Sequence, residues 1–182
     1  MKNAHYNSVK VTGRLMNDFS FSHASEHAKY YKGMLAVERA SGTFDFLPVI
    51  VNERTTEGLP FLQDKLLSIC GQISTFNKVI NGKPRLHVEL FAHTIDVLEA
   101  GEHTNDVVLR GVVCKIPTFR TTPMGREICD VMLAVNRSNG RAAYIPCIAW
   151  GAAAKTVRSM RVGEMLEVRG RLQSREYDHR RG

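Results

Sequence analysis

Tyr144 and Trp150 stand six positions apart in a run, 142–149 and the residue after it, whose residue types predict a β-strand. Side chains alternate across a strand, so an even spacing puts both rings on one face. Flat rings on an open sheet face stack on nucleic-acid bases of any kind at ~1–3 kcal/mol per base, while Lys and Arg beside them displace counterions from the phosphates. Arg120, Arg126, Arg137, Arg169, Arg171 and Arg175 fall on strands or hairpin tips of the same half of the chain. Rings interleaved with guanidinium groups are what gripping a single strand requires. No P-loop, HExxH, GxSxG or paired-carboxylate pattern stands out, so nothing argues for catalysis.

Two other groupings carry weaker chemistry. His23 and His27, four apart around Glu26, would share a helix face and could ligate a metal there. Their neighbours Ser22, Ala24 and Ser25, and the hairpin position given by the repeat described below, read instead as a solvated loop. Cys70, Cys114, Cys129 and Cys147 show no CxxC spacing and read as reduced core residues on strands. Neither a metal nor a cofactor is expected.

The 182 residues carry 25 Lys and Arg against 18 Asp and Glu, net +7, which favours a polyanionic partner. Residues 1–99 hold 11 basic and 10 acidic groups, whereas residues 100–182 hold 14 and 8, so +6 of the excess sits in the second half. Twelve of those 14 are arginines, the side chain suited to forked phosphate contacts and to stacking on bases. No window approaches the ~20 apolar residues of a membrane span, and residues 1–7 contain no apolar leader core. A cytoplasmic, nucleoid-associated setting is expected.

The elements that must hold these side chains are set out by an internal repeat. Shifted by 98 positions, Asn7 falls on Asn105, Val9 on Val107, Gly13 on Gly111, Phe21 on Phe119, and Met34-Leu35-Ala36-Val37 on Met132-Leu133-Ala134-Val135. Arg39 then meets Arg137, Gly42 meets Gly140, Pro48 meets Pro146 and Ile50 meets Ile148, without a gap. A slip of one residue brings Gly71-Gln72-Ile73 onto Gly170-Arg171-Leu172. A repeat of nearly 100 residues is domain-sized, so the expected organisation is a domain at 1–98, a polar linker at 99–104 and a second domain at 105–182.

Strands are expected over 9–12, 30–38, 44–51, 66–76 and 85–97, and over 107–109, 127–136, 142–149 and 165–177, with Gly13 and Gly111 at bends. Gly42, Gly82 and Gly140 suit hairpin turns, and the alanine-rich stretch 151–160 reads as a helix ended near Gly163. Five strands with one short helix between the third and fourth is the order of the OB barrel, so an all-β fold of two tandem five-stranded Greek-key barrels is expected.

Residues 105–177 closely resemble the bacterial single-stranded DNA-binding protein family. The resemblance is carried by 105–111 (Asn-Asp-Val-Val-Leu-Arg-Gly), 120–125 (Arg-Thr-Thr-Pro-Met-Gly), 133–137 (Leu-Ala-Val-Asn-Arg), 144–151 (Tyr-Ile-Pro-Cys-Ile-Ala-Trp-Gly) and 168–177 (Val-Arg-Gly-Arg-Leu-Gln-Ser-Arg-Glu-Tyr). Through the repeat, residues 7–98 look like a diverged copy of the same module. The resemblance implies sequence-independent binding of single-stranded DNA in replication, recombination and repair, by a homodimer presenting four barrels. It also implies stacking roles for Tyr144, Trp150 and Tyr177. The first copy is weaker at the matching places: Phe46 falls on Tyr144, Asn52 falls on Trp150, and Phe76 lies only near the position of Tyr177. Phe19, Phe21, Tyr30 and Tyr31 offer replacement rings in its first hairpin, although core packing is the commoner fate of such residues.

The sequence departs from the family after the turn at 178–182, where no counterpart of 85–97 follows, and the family's flexible tail with its acidic, partner-recruiting tip is missing. A truncated chain, an open barrel, or a gap filled by another subunit are the alternatives. The rival function is an OB-based protein-interaction or primosome-assembly module in which contact with nucleic acid is incidental.

Overall fold

The computed structural model of the chain describes residues 4–101 and 103–175. Among them the strands arise where apolar residues recur at every second position. In the first copy these are β1 (Tyr6–Leu15), β2 (Ser20–Ala24), β3 (Lys29–Glu38), β4 (Phe44–Asn52), β5 (Leu66–Ile80) and β6 (Lys83–Leu98), with a single turn of helix, α1 (Glu53–Thr56), after β4. Leu67, Ile69 and Ile73 on β5 and Leu47, Val49 and Val51 on β4 are buried, with Ile50 of β4 buried between the last two. β1 pairs antiparallel with β3 and β5, β3 pairs with β4, β5 neighbours β6, and β6 runs parallel to β4 through Val49–Leu90 and Val51–Ala92. That ring is closed, and its one parallel contact between third and last strands is the signature of the OB barrel.

The second copy repeats the plan as β7 (Asn105–Val113), β8 (Thr118–Thr121), β9 (Glu127–Asn136), β10 (Ala142–Trp150), α2 (Ala152–Val157) and β11 (Met165–Gly170). β7 pairs with β9 and β11, and β9 pairs with β8 and β10. The duplication reaches individual backbone hydrogen bonds. Met16 N–H donates to Met34 O as Cys114 N–H does to Met132 O, and Arg39 N–H donates to Thr43 O as Arg137 N–H does to Arg141 O. Leu15 exchanges bonds with Lys65 and Asp64 as Val113 does with Glu164 and Gly163. Asp64 therefore takes the left-handed conformation, φ 63°, at the place where the second copy has Gly163 at 97°.

Gly13 and Gly111 sit where the first strand of each copy curls under its neighbour, and close approach is what requires them. A Cβ at Gly111 would lie 2.5 Å from Ala134 O, and one at Gly13 would lie 2.7 Å from Ala36 O. Gly111→Ala is expected to destabilise the second barrel by about 1–3 kcal/mol, seen as a lower urea midpoint with an unchanged slope.

Several expected boundaries move: β1, β5, β6 and β7 run longer than expected, and two elements of the second copy are shorter. The last strand, expected over 165–177, ends at Gly170. Past it, the Asn105 side chain takes the place of a partner strand: its Nδ2 donates to Leu172 O at 2.8 Å and its Oδ1 accepts Leu172 N–H at 2.9 Å. The helix expected over 151–160 is confined to α2, where Ala154 and Val157 are buried. Among the described residues no helix is long and apolar enough to cross a membrane.

The described chain divides into two compact units that do not follow the order of the sequence. One comprises residues 4–7, 75–88 and 108–169; the other comprises 8–74, 89–107 and 170–175. The hairpin of β5 and β6 is the reason for the first exchange. Strands of 15 and 16 residues extend roughly 50 Å, well past the reach of one small barrel, and the chain from Phe76 to Leu86 is exposed throughout.

Candidate nucleic-acid interface

β10 shows the alternation that the sequence implies. Ala143 and Ile145 point into the core, while Tyr144 and Trp150, 51% and 44% exposed, lie on the opposite face with Pro146 between them. Register carries this face across β9: Tyr144 lies opposite Ala134, Pro146 opposite Met132, Ile148 opposite Asp130 and Trp150 opposite Ile128. Ile128 is in turn opposite Arg120 on β8, so Trp150, Ile128 and Arg120 form one row over three strands. Arg120 Nε donates to Asp130 Oδ2 at 2.9 Å, and this bond raises the guanidinium pKa further. Both side chains are more than 40% exposed, and a pair so open to water is weak, so a phosphate can compete with Asp130 for the arginine.

Arg126 lies exposed at the tip between β8 and β9, where Thr122 Oγ1 accepts its backbone N–H at 3.1 Å and Gly125 takes φ 82°. Arg137 is half-buried, and its Nη2 donates to Thr75 O at 3.4 Å. The repeat explains the difference from Arg39, which has Asp45 as partner: Asp45 falls on Ala143, so the second copy offers no carboxylate at that place. Arg169 is held with Arg110 on Glu167, whose carboxyl those two bonds keep below its ordinary pKa.

The compact unit that contains Tyr144 and Trp150 also contains the end of the β5–β6 hairpin. Thr75 Oγ1 accepts the Tyr144 N–H at 3.1 Å, on the edge of β10 that faces away from β9. Pro146, two residues on along that edge, has no donor to satisfy there. Beyond Thr75 the hairpin brings Phe76, in ring contact with His87 at 4.9 Å, together with Lys78, Lys83 and Arg85 and no carboxylate. Sequence reasoning did not place these residues beside Tyr144.

A matching contact occurs in the other unit. Ser174 Oγ accepts the Phe46 N–H at 2.9 Å, and Ser174 N–H donates to Asp45 Oδ1 at 2.9 Å. Phe46 and Tyr144 are repeat equivalents, and so are Thr75 and Ser174 after the one-residue slip. That slip was the available signal for the exchange. Arg171 and Arg175, expected around Tyr144 and Trp150, therefore belong to the unit of Phe46. Tyr177 lies outside the described residues.

The two histidines do not share a helix. His23 is on β2 with its ring stacked on Tyr30 at 4.9 Å, and His27 lies in the turn that follows. Of the four cysteines expected in the core only Cys129 is buried, and Cys70, Cys114 and Cys147 are half-buried; burial pushes the Cys147 thiol up to about 12, so it stays protonated.

Comparison with known proteins gives this arrangement a context. Residues 104–182 match the Single-strand binding protein family. The single-stranded DNA-binding protein of Enterococcus faecalis is 39% identical over 85 residues, 43% of this chain and 45% of its own length. Single-stranded DNA-binding protein A of Bacillus subtilis is 36% identical over 85 residues, 43% of this chain and 49% of its own. The chain thus spans about half the length of the curated relatives it matches. The structure of a deletion mutant of the single-stranded DNA binding protein from Thermus aquaticus superposes with a TM-score of 0.77 at 25% identity, covering 93% of this chain and 87% of that one.

Proposed function

From the membership of residues 104–182 in the single-strand binding protein family, we infer that this chain binds single-stranded DNA without sequence preference. The observation that carries the reading is the exposed pair Tyr144 and Trp150 on one face of β10, with Arg120 in the same cross-strand row. Bases stack on the two rings. Phosphates are held by Arg120 and Arg126 and by Lys78, Lys83 and Arg85 of the hairpin that reaches Tyr144. Arg171 and Arg175 serve the unit of Phe46, and Arg137 positions the hairpin through Thr75 rather than holding a phosphate. Tyr177 is a further stacking ring of the same chain.

The role is that of a non-enzymatic, cytoplasmic and nucleoid-associated protein of replication, recombination and repair, acting as a homodimer that presents four barrels. We place the boundaries of the two sequence copies at 98 and 105, and each compact unit takes in a segment of the other copy.

Trp150 is the only tryptophan, so its fluorescence reports on one place. Titration with oligo(dT) at low salt is expected to quench it, and raising the salt to reverse the quenching as counterions reclaim the phosphates. A folded protein whose emission does not change at low salt has no base on Trp150.

A further inference from the structure

The stacking ring of the second barrel has a counterpart in the first that sequence alignment misses, because it stands on the neighbouring strand. Ile128 of β9 lies opposite Trp150 of β10; at the equivalent rung of the first copy Tyr30 of β3 lies opposite Asn52 of β4. The aromatic and the smaller residue have changed places across the rung, and the ring stays on the outer face. Asn52 is committed elsewhere, since its Oδ1 accepts the Arg54 N–H at 3.0 Å as the cap of α1.

Among the described residues Tyr30 has aromatic company that Trp150 does not. The His23 imidazole lies nearly parallel to it, 4.9 Å between centroids and 19° between planes. Phe91 of β6 sits 6.2 Å away on the other side, and His93 meets Phe91 at 5.3 Å. Four rings from three strands form a continuous band on the outside of the barrel, with His23 and His93 exposed and Tyr30 and Phe91 half-exposed. The core of this copy lies on the inner face and is filled by residues such as Leu35, Val49 and Leu90, so the band is not needed to close it.

We propose that this band is a second base-stacking site for single-stranded DNA, resting on the reading of the chain as a single-strand binder. Its charge suits a phosphate backbone. Lys29 and Lys32 flank Tyr30 and are exposed, and Arg171 and Arg175 join the same compact unit. Carboxylates near it include Glu53, next to Asn52 at the start of α1, Glu26, in the turn beside His27, and Glu89, two residues before Phe91. A strand laid along β4 from Phe46 toward Tyr30 would follow the path that leads from Tyr144 to Trp150 on β10.

The test uses the full chain and its Tyr30→Ala variant, with Tyr30→Phe as a variant that keeps the ring. Oligo(dT) of about 8 nucleotides covers one barrel and about 30 covers both; Trp150 quenching follows the first and fluorescence anisotropy of a labelled oligonucleotide the second. Tyr30→Ala is expected to leave Trp150 quenching by the short oligonucleotide unchanged and to weaken the long one about 5- to 100-fold, with Tyr30→Phe close to the unaltered chain. Photocrosslinking to 5-iododeoxyuridine should label Tyr30, Phe91 or His93. Unchanged affinity of Tyr30→Ala for the long oligonucleotide, with crosslinks confined to Tyr144 and Trp150, would overturn the second site and leave the first standing. Crosslinks at Tyr30 without any Trp150 quenching would support this site and overturn the role given to Trp150.

Discussion

Replacing Trp150 with alanine is expected to cost ~1–3 kcal/mol of single-stranded DNA affinity, a weakening of about 5- to 100-fold, and Tyr144→Ala a similar amount. The reason is geometric. Both rings are about half exposed on one face and neither fills the core, so truncation removes stacking surface while Ala143 and Ile145 keep β10 packed. Combining the two changes should multiply the losses, to about 25-fold at the least and about 10,000-fold at the most, if the rings hold separate bases, because residues about 20 Å apart along a strand act nearly additively. Phe46→Ala should lose less, since Phe46 is half-buried where Tyr144 and Trp150 are exposed. Anisotropy titrations at fixed low salt measure all of these, with the urea midpoint of each variant as a check on folding. Equal losses for Phe46→Ala and Trp150→Ala would contradict the difference between the barrels.

Asp45→Ala should be the most damaging change to the fold among those considered. Asp45 is fully buried on the inner face of β4, and both its oxygens are taken: Arg39 donates Nε to Oδ2 at 2.7 Å and Nη2 to Oδ1 at 2.6 Å, and Ser174 N–H donates to Oδ1. Removing one partner of a buried ion pair costs about 3–5 kcal/mol. Arg39 keeps a quarter of its side-chain surface in water, which lowers the expectation to roughly 2–4 kcal/mol, or about 1–2 M in the urea midpoint. The Ser174 amide should exchange faster with solvent in the variant than in the unaltered chain. Unchanged exchange would mean that Phe46 and Asn105 hold the segment after β11 without Asp45.

The same carboxylate makes stability depend on acid. Burial pushes the Asp45 carboxyl up, but the hydrogen bonds from Arg39 and Ser174 and the charges of Arg39 and Arg171 outweigh it and hold the pKa below its ordinary value. The unfolded chain therefore takes up the proton first. The contribution of the pair is complete above the ordinary carboxylate range near pH ~4 and is lost as pH falls through the lower folded value. Stability measured by urea between about pH 6 and pH 3 should fall more steeply for the unaltered chain than for Asp45→Ala, and parallel curves would show that another group governs the acid limb.

Much of this protein was legible in its residues because the governing rules are local. Period-two alternation placed Tyr144 and Trp150 on one face, the 98-residue register announced two copies of one strand plan, and Gly42, Gly82 and Gly140 marked turns that all take positive φ. What the chain order could not convey is which copy a long strand ends up serving. β5 and β6 outrun their own barrel, so Thr75, Phe76 and Lys78 stand with Tyr144, while Ser174, Arg171 and Arg175 stand with Phe46. The transposition of Tyr30 across its rung was hidden for a related reason. Alignment compares positions along the chain, whereas a base stacking on a sheet meets whichever ring the pairing of two strands brings to its surface, and only tertiary structure decides that pairing.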